Sequence, residues 1–276
     1  MDRKESTWEQ FTQVAGLPDH DVDLARAALL IAATEYPNLD IDHELNILDS
    51  LSAGASQRLG EDRSPLFCIN TLSVYLFDLV GFRGNLDDYY DPRNCFLNDV
   101  LRRRLGIPIT LSLIFVEVGK RLGVPLEGVG MPGHFLLRHR DEEHLFIDPY
   151  YRGVLLSEEE CAQRLRQATH ANAAWDTRFL RPVSNRDFIA RILRNLKGIY
   201  LHHEDHNRAL SMIDRLICLQ PQAGLVRRDR GLVHYQLHQY QQALEDLQIY
   251  LDSGASTVDT EAIEGLVSRL RDFLGR

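Results

Sequence analysis

The sequence predicts an α+β domain with a helical N-terminal layer and a small antiparallel sheet, followed by an all-α C-terminal domain. Three observations lead there. Apolar residues recur at helical spacing through most of residues 8–122. Short extended runs between Gly- and Pro-bearing turns are confined to the stretch that ends at Pro149. Helical spacing then returns with an internal period, Ala209 and Ala243 standing 34 residues apart in similar contexts. The domains are accordingly set at 1–183, with a helical layer over 1–90 and a core over 91–183, and at 184–276.

In chain order, residues 8–36 give one or two helices ended by Pro37, and 41–58 gives another with Leu45, Leu48 and Leu51 on one side. After Ser64-Pro65 a helix over 66–80 carries a stripe of Leu72, Leu76, Leu79 and Val80. The loop G-F-R-G-N-L-D-D-Y-Y-D-P-R-N has turn chemistry, and its three Asp match no Ca²⁺ loop, so they read as solvated. Cys95 opens the next helix, C-F-L-N-D-V-L-R-R-R-L, with Asn94 as N-cap and Arg102, Arg103 and Arg104 at its solvated end. Pro108 then starts a mostly apolar helix to Leu122, because proline at the first helical position loses no hydrogen bond and presets φ.

Beyond a Gly-Val-Pro turn lie two short strands carrying His134 and Asp148. If Arg138 and His144 close a five-residue loop centred on Asp141, opposite positions sum to 282 and His134 faces Asp148 directly. Phe135, Leu137, Leu145 and Ile147 then share the other face. A slip of one residue would separate the pair. Glycines at 128, 130 and 133 leave room for a backbone or ligand to approach. Ser157, capping S-E-E-E, starts a further helix, and R-P-V-S-N-R-D-F is a linker or domain end.

The tail is helical to the end. Leu193, Leu196, Tyr200, Ala209, Ile213, Leu216 and Pro221 match one tetratricopeptide unit, and Gly231, Ala243, Leu247 and Tyr250 a second. Two units need completion, assigned to a capping helix over 260–274. H-H-E-D-H at 202–206 falls in the turn between the two helices of the first unit, where side chains diverge, so no metal is expected there.

L-N-D-V-L-R-R-R-L-G-I-P, R-L-G-V-P, P-G-H-F and F-I-D-P resemble the transglutaminase-like (cysteine-proteinase-like) domain of the bacterial SirB family, whose members join it to tetratricopeptide repeats. The resemblance is strong over about residues 20–165 and looser beyond. In catalytic members of the wider superfamily a Cys opens the long helix, and a His and an Asp follow on successive strands. The resemblance therefore assigns His134 and Asp148 to a dyad, and it aligns the nucleophile with Pro108, which has no nucleophilic atom.

Composition narrows the function. The 276 residues are 44% hydrophobic, enough for two cores. No apolar run reaches membrane-spanning length, and M-D-R-K-E-S-T-W-E-Q lacks a signal-peptide core, so the expectation is a cytoplasmic protein without a membrane partner. A net charge of −9 argues against nucleic acid. Cys68, Cys95, Cys161 and Cys218 form no C-x-x-C pair, which excludes a zinc knuckle and a disulfide scaffold; no cofactor is expected.

Three functions follow. The favoured one is a non-catalytic binding, adaptor or regulatory module acting on a protein or peptide partner through its repeats, with a residual His134/Asp148 site. The second is a cysteine hydrolase or acyltransferase using Cys95, whose place in a first helical turn suits a thiolate. The third is a small-molecule or anion sensor at the helix start, with Pro108, Thr110, Ser112 and Asn98 as ligand-binding candidates. The oligomeric state is not legible from the sequence.

Overall fold

The computed structural model describes residues 3–168, 174–255 and 257–275. The chain divides into two compact units, 1–192 and 193–276.

In the first unit α1 (Arg3–Gly16) and α2 (Leu24–Ala32) lead to α3 (Ile41–Leu59). Asp23 caps α2 through Arg26 N at 2.9 Å, and Asp40 caps α3 through His43 N at 3.0 Å; each carboxylate satisfies one of the amides that a helix start leaves unpaired. Next, α4 (Pro65–Ser73) runs into a π-helical turn, Val74–Leu79. This alters the stripe expected over 66–80. A π turn holds about one more residue than an α turn, so Phe77 rotates inward to stack on Phe115 while Leu79 is 56% exposed. Leu72 and Leu76 stay buried.

A short parallel pair joins β1 (Arg83–Gly84) to β2 (Leu105–Gly106). Between them lie a 3₁₀ turn, Pro92–Asn94, and α5 (Leu97–Arg103). The expectation that Cys95 opens this helix with Asn94 as cap is corrected. Phe96 is the N-cap, Cys95 closes the preceding 3₁₀ turn, and the Asn94 amide is spent on Asp88 O at 2.7 Å and Asn85 Nδ2 at 3.0 Å. The loop's acids are not all solvated either: Asp91 is buried between Arg93 and Arg103, at 2.9 and 3.0 Å.

The axis of this unit is α6 (Pro108–Arg121), buried from Pro108 through Gly119 and packed against α2, α3 and the sheet. That sheet has the order β3 (Leu126–Val129), β4 (Leu136–His139), β5 (Phe146–Asp148), β6 (Val154–Leu156), antiparallel throughout. Leu137 pairs with Ile147 and Arg138 with Phe146, so opposite positions sum to 284 rather than 282. His134 lies just before β4, and its direct opposite is not Asp148. The slip is two residues, which keeps every side chain on its face. Asp148 thus becomes a diagonal neighbour, within a long side chain's reach. α7 (Glu158–Ala168) begins with the expected box, Ser157 N reaching Glu160 Oε2 at 2.7 Å. Cys161 and Leu165 of α7 close over Leu136, Phe146 and Leu156.

The division between units falls inside α8 (Asn185–His202). The second unit continues with α9 (His206–Leu219), α10 (Gly224–Gln236), α11 (Tyr240–Asp252) and α12 (Thr260–Leu274), each packed on the next. Ala209 and Ala243 are buried at the helix contacts, and a Cβ on Gly231 would meet Leu247 Cγ at 2.7 Å. α12 caps the stack by burying Ile263, Leu266, Val267 and Leu270 against α11. No helix among the described residues is long and apolar enough to cross a membrane. H-H-E-D-H runs from the last residue of α8 through the turn 203–205 to the first residue of α9, which Asp205 caps through Arg208 N at 3.0 Å. Among the described residues no set of three or more His, Cys, Asp or Glu converges as metal ligands.

Candidate functional site

The site is built where α6 begins and the sheet ends. Pro132-Gly133 turns the chain into His134, with Gly133 at φ +73°, a conformation that disfavours a side chain. The turn is closed by His134 N to Met131 O at 3.1 Å and clamped by Arg191, which reaches the carbonyls of Met131 and His134 at 3.3 and 3.4 Å. Asp148 ends β5 and is fully buried. Its Oδ1 accepts from Tyr150 N and Tyr151 N at 3.2 and 3.3 Å, fixing the 3₁₀ turn Pro149–Tyr151 that follows. Its Oδ2 lies 2.9 Å from His134 Nε2.

That contact sets the imidazole's chemistry. A carboxylate only accepts, so Nε2 carries the hydrogen, and Nδ1 is the ring atom turned away from this contact. His134 itself is 9% exposed. The Arg164 guanidinium lies over the Tyr151 ring at 4.0 Å, with its Nε 3.7 Å from Asp148 Oδ2. It offsets the buried carboxylate and stiffens the tyrosine wall.

These groups face a pocket of 390 Å³, lined by Pro108, Gly133, His134 and Arg164 together with Leu86, Gln167 and the rings of Tyr89, Tyr150 and Tyr151. Tyr150 is seated by Gly84, where a Cβ would come 2.5 Å from its ring, and its hydroxyl donates to Asn85 O at 3.2 Å. Burial, then the neighbouring Tyr89, pushes the Tyr150 hydroxyl up to about 12. It stays protonated and is a poor base near neutral pH.

The other sequence candidates lie elsewhere. Cys95 is 1% exposed and does not line the pocket; burial, then Asp91, drives its thiol well above the ordinary range. The hydroxyl of Tyr89, which does line the pocket, is itself raised, by burial first and then by the Cys95 thiol. Cys161 is buried, its thiol pushed up to about 12 by burial and then by Asp148. Thr110 Oγ1 accepts from Ile107 N at 3.1 Å and donates to Asn94 O at 2.7 Å, so this hydroxyl closes the helix start. Ser112 is buried with its Oγ unpartnered and away from the pocket wall, and Asn98 lines a different cavity. The structure thus brings together His134, Asp148 and Pro108, and leaves out Cys95, Thr110, Ser112 and Asn98.

Sequence reasoning missed Arg164, Gln167 and the tyrosines. Arg164 follows Cys161 by one helical turn, which puts both over the sheet. Tyr150 and Tyr151 follow D-P directly, where an Asp that caps a turn pins the next two residues beside it.

Residues 42–194 match the family profile described as Transglutaminase-like superfamily, and 196–268 match Tetratricopeptide repeat. A UPF0162 protein of Xylella fastidiosa (strain Temecula1) is 39% identical over 263 residues, 92% of each chain. A UPF0162 protein of Vibrio cholerae is 31% identical over 92% of this chain and 96% of its own. F-box only protein 21 of Mus musculus is 36% identical over 131 residues, 44% of this chain and 21% of that one. No solved structure matches. A superfamily profile that spans more than half the chain, and relatives alike along nearly all of it, place the protein: with UPF0162 proteins similar to it over 92% of its residues, it belongs to the transglutaminase-like superfamily.

Proposed function

We propose that this is a non-catalytic transglutaminase-like protein of the SirB type, which holds a small polar group against His134 and engages a protein or peptide partner through its tetratricopeptide repeats. The observation that carries this reading is the occupant of the helix start. Pro108 lines the pocket beside His134, where an attacking sulfur would have to stand, and Cys95 and Cys161 are buried outside it as protonated thiols. A thiol raised in this way supplies almost no thiolate near neutral pH. What remains is recognition: the His134 ring offers its Nδ1, Arg164 supplies a cation, and three tyrosines form an apolar wall with polar tips. Four cysteines that form no disulfide, three of them buried, suit a cytoplasmic protein.

The rival reading, a hydrolase or acyltransferase using Cys95 with His134 and Asp148, draws on the electrostatic effect of that thiol on Tyr89, which lines the pocket. An acyl-transfer assay separates the two. With Nα-acetyl-glutamine methylamide and hydroxylamine, we expect no hydroxamate above buffer. We expect the same amide to raise the melting temperature of the wild type by about 2 °C and that of His134→Ala by none. Enzyme-dependent hydroxamate, or an equal shift in both proteins, contradicts the reading.

A further inference from the structure

Among the residues that line the His134 pocket, Arg164 alone carries a permanent charge. Its guanidinium rests over the Tyr151 ring at 4.0 Å, and its Nε stands 3.7 Å from Asp148 Oδ2, beyond hydrogen-bond distance. Among the described residues Arg164 finds no hydrogen-bond acceptor, and its side chain is 25% exposed where it forms the pocket wall. A guanidinium that rests on an aromatic ring keeps its N–H donors for other partners, and its fork matches the two oxygens of a carboxylate.

The nearby acid does not occupy that fork. Asp148 is fully buried, and its oxygens are engaged by His134 Nε2, Tyr150 N and Tyr151 N. With this carboxylate behind the imidazole and one cation in front, a monoanion is favoured over a phosphate dianion. The guanidinium and the imidazole flank the same Asp148 oxygen, and the Tyr151 ring lies beside both, its centre 6.2 Å from that of His134. One small ligand therefore spans them. The wall continues with Pro108, Tyr89 and Leu86, the last 75% exposed at the mouth. At 390 Å³ the pocket stands near the small end of ligand sites, which run from about 300 to 1,000 Å³, so it suits the end of a chain better than a stretch passing through. A carboxylate, an amide N–H and an apolar side chain meet on one Cα at the C-terminus of a peptide.

We propose that the pocket receives the C-terminal residue of a peptide whose last side chain is apolar. Arg164 takes the terminal carboxylate, Nδ1 of His134 meets the last amide N–H, and the side chain lies against Tyr89 and Leu86. This rests on the reading of the pocket as a recognition site and names what it recognises.

The test is an NMR titration of the full chain with three compounds: Nα-acetyl-phenylalanine, its carboxamide, which lacks the charge, and 3-phenylpropanoate, which lacks the amide. The acetylated acid should bind with a Kd below about 1 mM, about tenfold tighter than the carboxamide and about fivefold tighter than phenylpropanoate. Arg164→Gln should bring the acid down to the affinity of the carboxamide and leave the carboxamide as it was. Arg164→Lys, which keeps the charge and loses the fork, should fall between. His134→Ala should weaken acid and carboxamide alike. Equal affinity of acid and carboxamide in the wild type, an advantage of the acid that survives Arg164→Gln, phenylpropanoate as tight as the acetylated acid, or no saturable shift with any compound would each overturn the proposal. Where acid and carboxamide bind equally and both weaken in His134→Ala, the proposal falls and the recognition reading stands; binding indifferent to His134→Ala removes both.

Discussion

Asp148 is the residue on which the pocket's geometry rests, since one buried carboxylate accepts from His134 Nε2 and from two backbone amides of the turn that carries Tyr150 and Tyr151. Removing it strands three donors at once. Asp148→Ala should therefore cost about 3 kcal/mol in urea unfolding, and Asp148→Asn, which still offers one acceptor oxygen, about 1 kcal/mol. Equal losses would show that the carboxylate is not the anchor. A second residue-scale prediction concerns Tyr36, raised from 10.0 to about 12, by burial first and by its hydrogen bond to Asp99 next. The folded protein holds this proton more tightly than the unfolded chain. The contribution to stability is therefore complete below about pH 10 and is lost as pH climbs toward 12. An alkaline absorbance titration of the native protein should lose one late-titrating phenol in Tyr36→Phe. At this scale His134, Asp148 and Pro108 were legible because each is fixed by local chemistry: a Pro-Gly turn, a strand end before proline, a proline at a helix start. Arg164 was not, because only the packing of α7 on the sheet brings it over Tyr151.

Among the elements, those with strong punctuation were predicted from the sequence closely. Asp40 and Pro108 stand where α3 and α6 start, and Ser157 stands before α7. Elements set by tertiary fit were not. The π turn after Ser73 has no local sequence signal, and it reversed the fate of Leu79. The hairpin register was off by two because the loop's polar residues fix its length poorly; the pair survived because the period of a strand is two. In the repeat region the close approach of α10 and α11 rests on Gly231. Gly231→Ala would push a methyl against Leu247 Cγ at 2.7 Å. Overpacking of this kind should cost about 1–3 kcal/mol despite alanine's better helix propensity. Chemical denaturation of the whole chain measures it, and a stabilised variant would mean that the two helices are not held at this distance.

Over the molecule as a whole, a transglutaminase-like unit that pairs His134 with Asp148 is joined in one chain to tetratricopeptide repeats. The sequence showed both parts through motif and period, and its resemblance to the superfamily aligned Pro108 with the nucleophile. It did not show where the cysteines lie, since burial depends on how distant segments close over one another. The central claim, that no sulfur serves this imidazole, is tested most directly by the alkylation rate of Cys95. Native wild type and His134→Ala are each treated with iodoacetamide at neutral pH, and the labelled site is read by peptide mass. Cys95 is expected to react only as fast as the protein opens, at the same rate in both. Rapid labelling of Cys95 in the native wild type that slows in His134→Ala would contradict it.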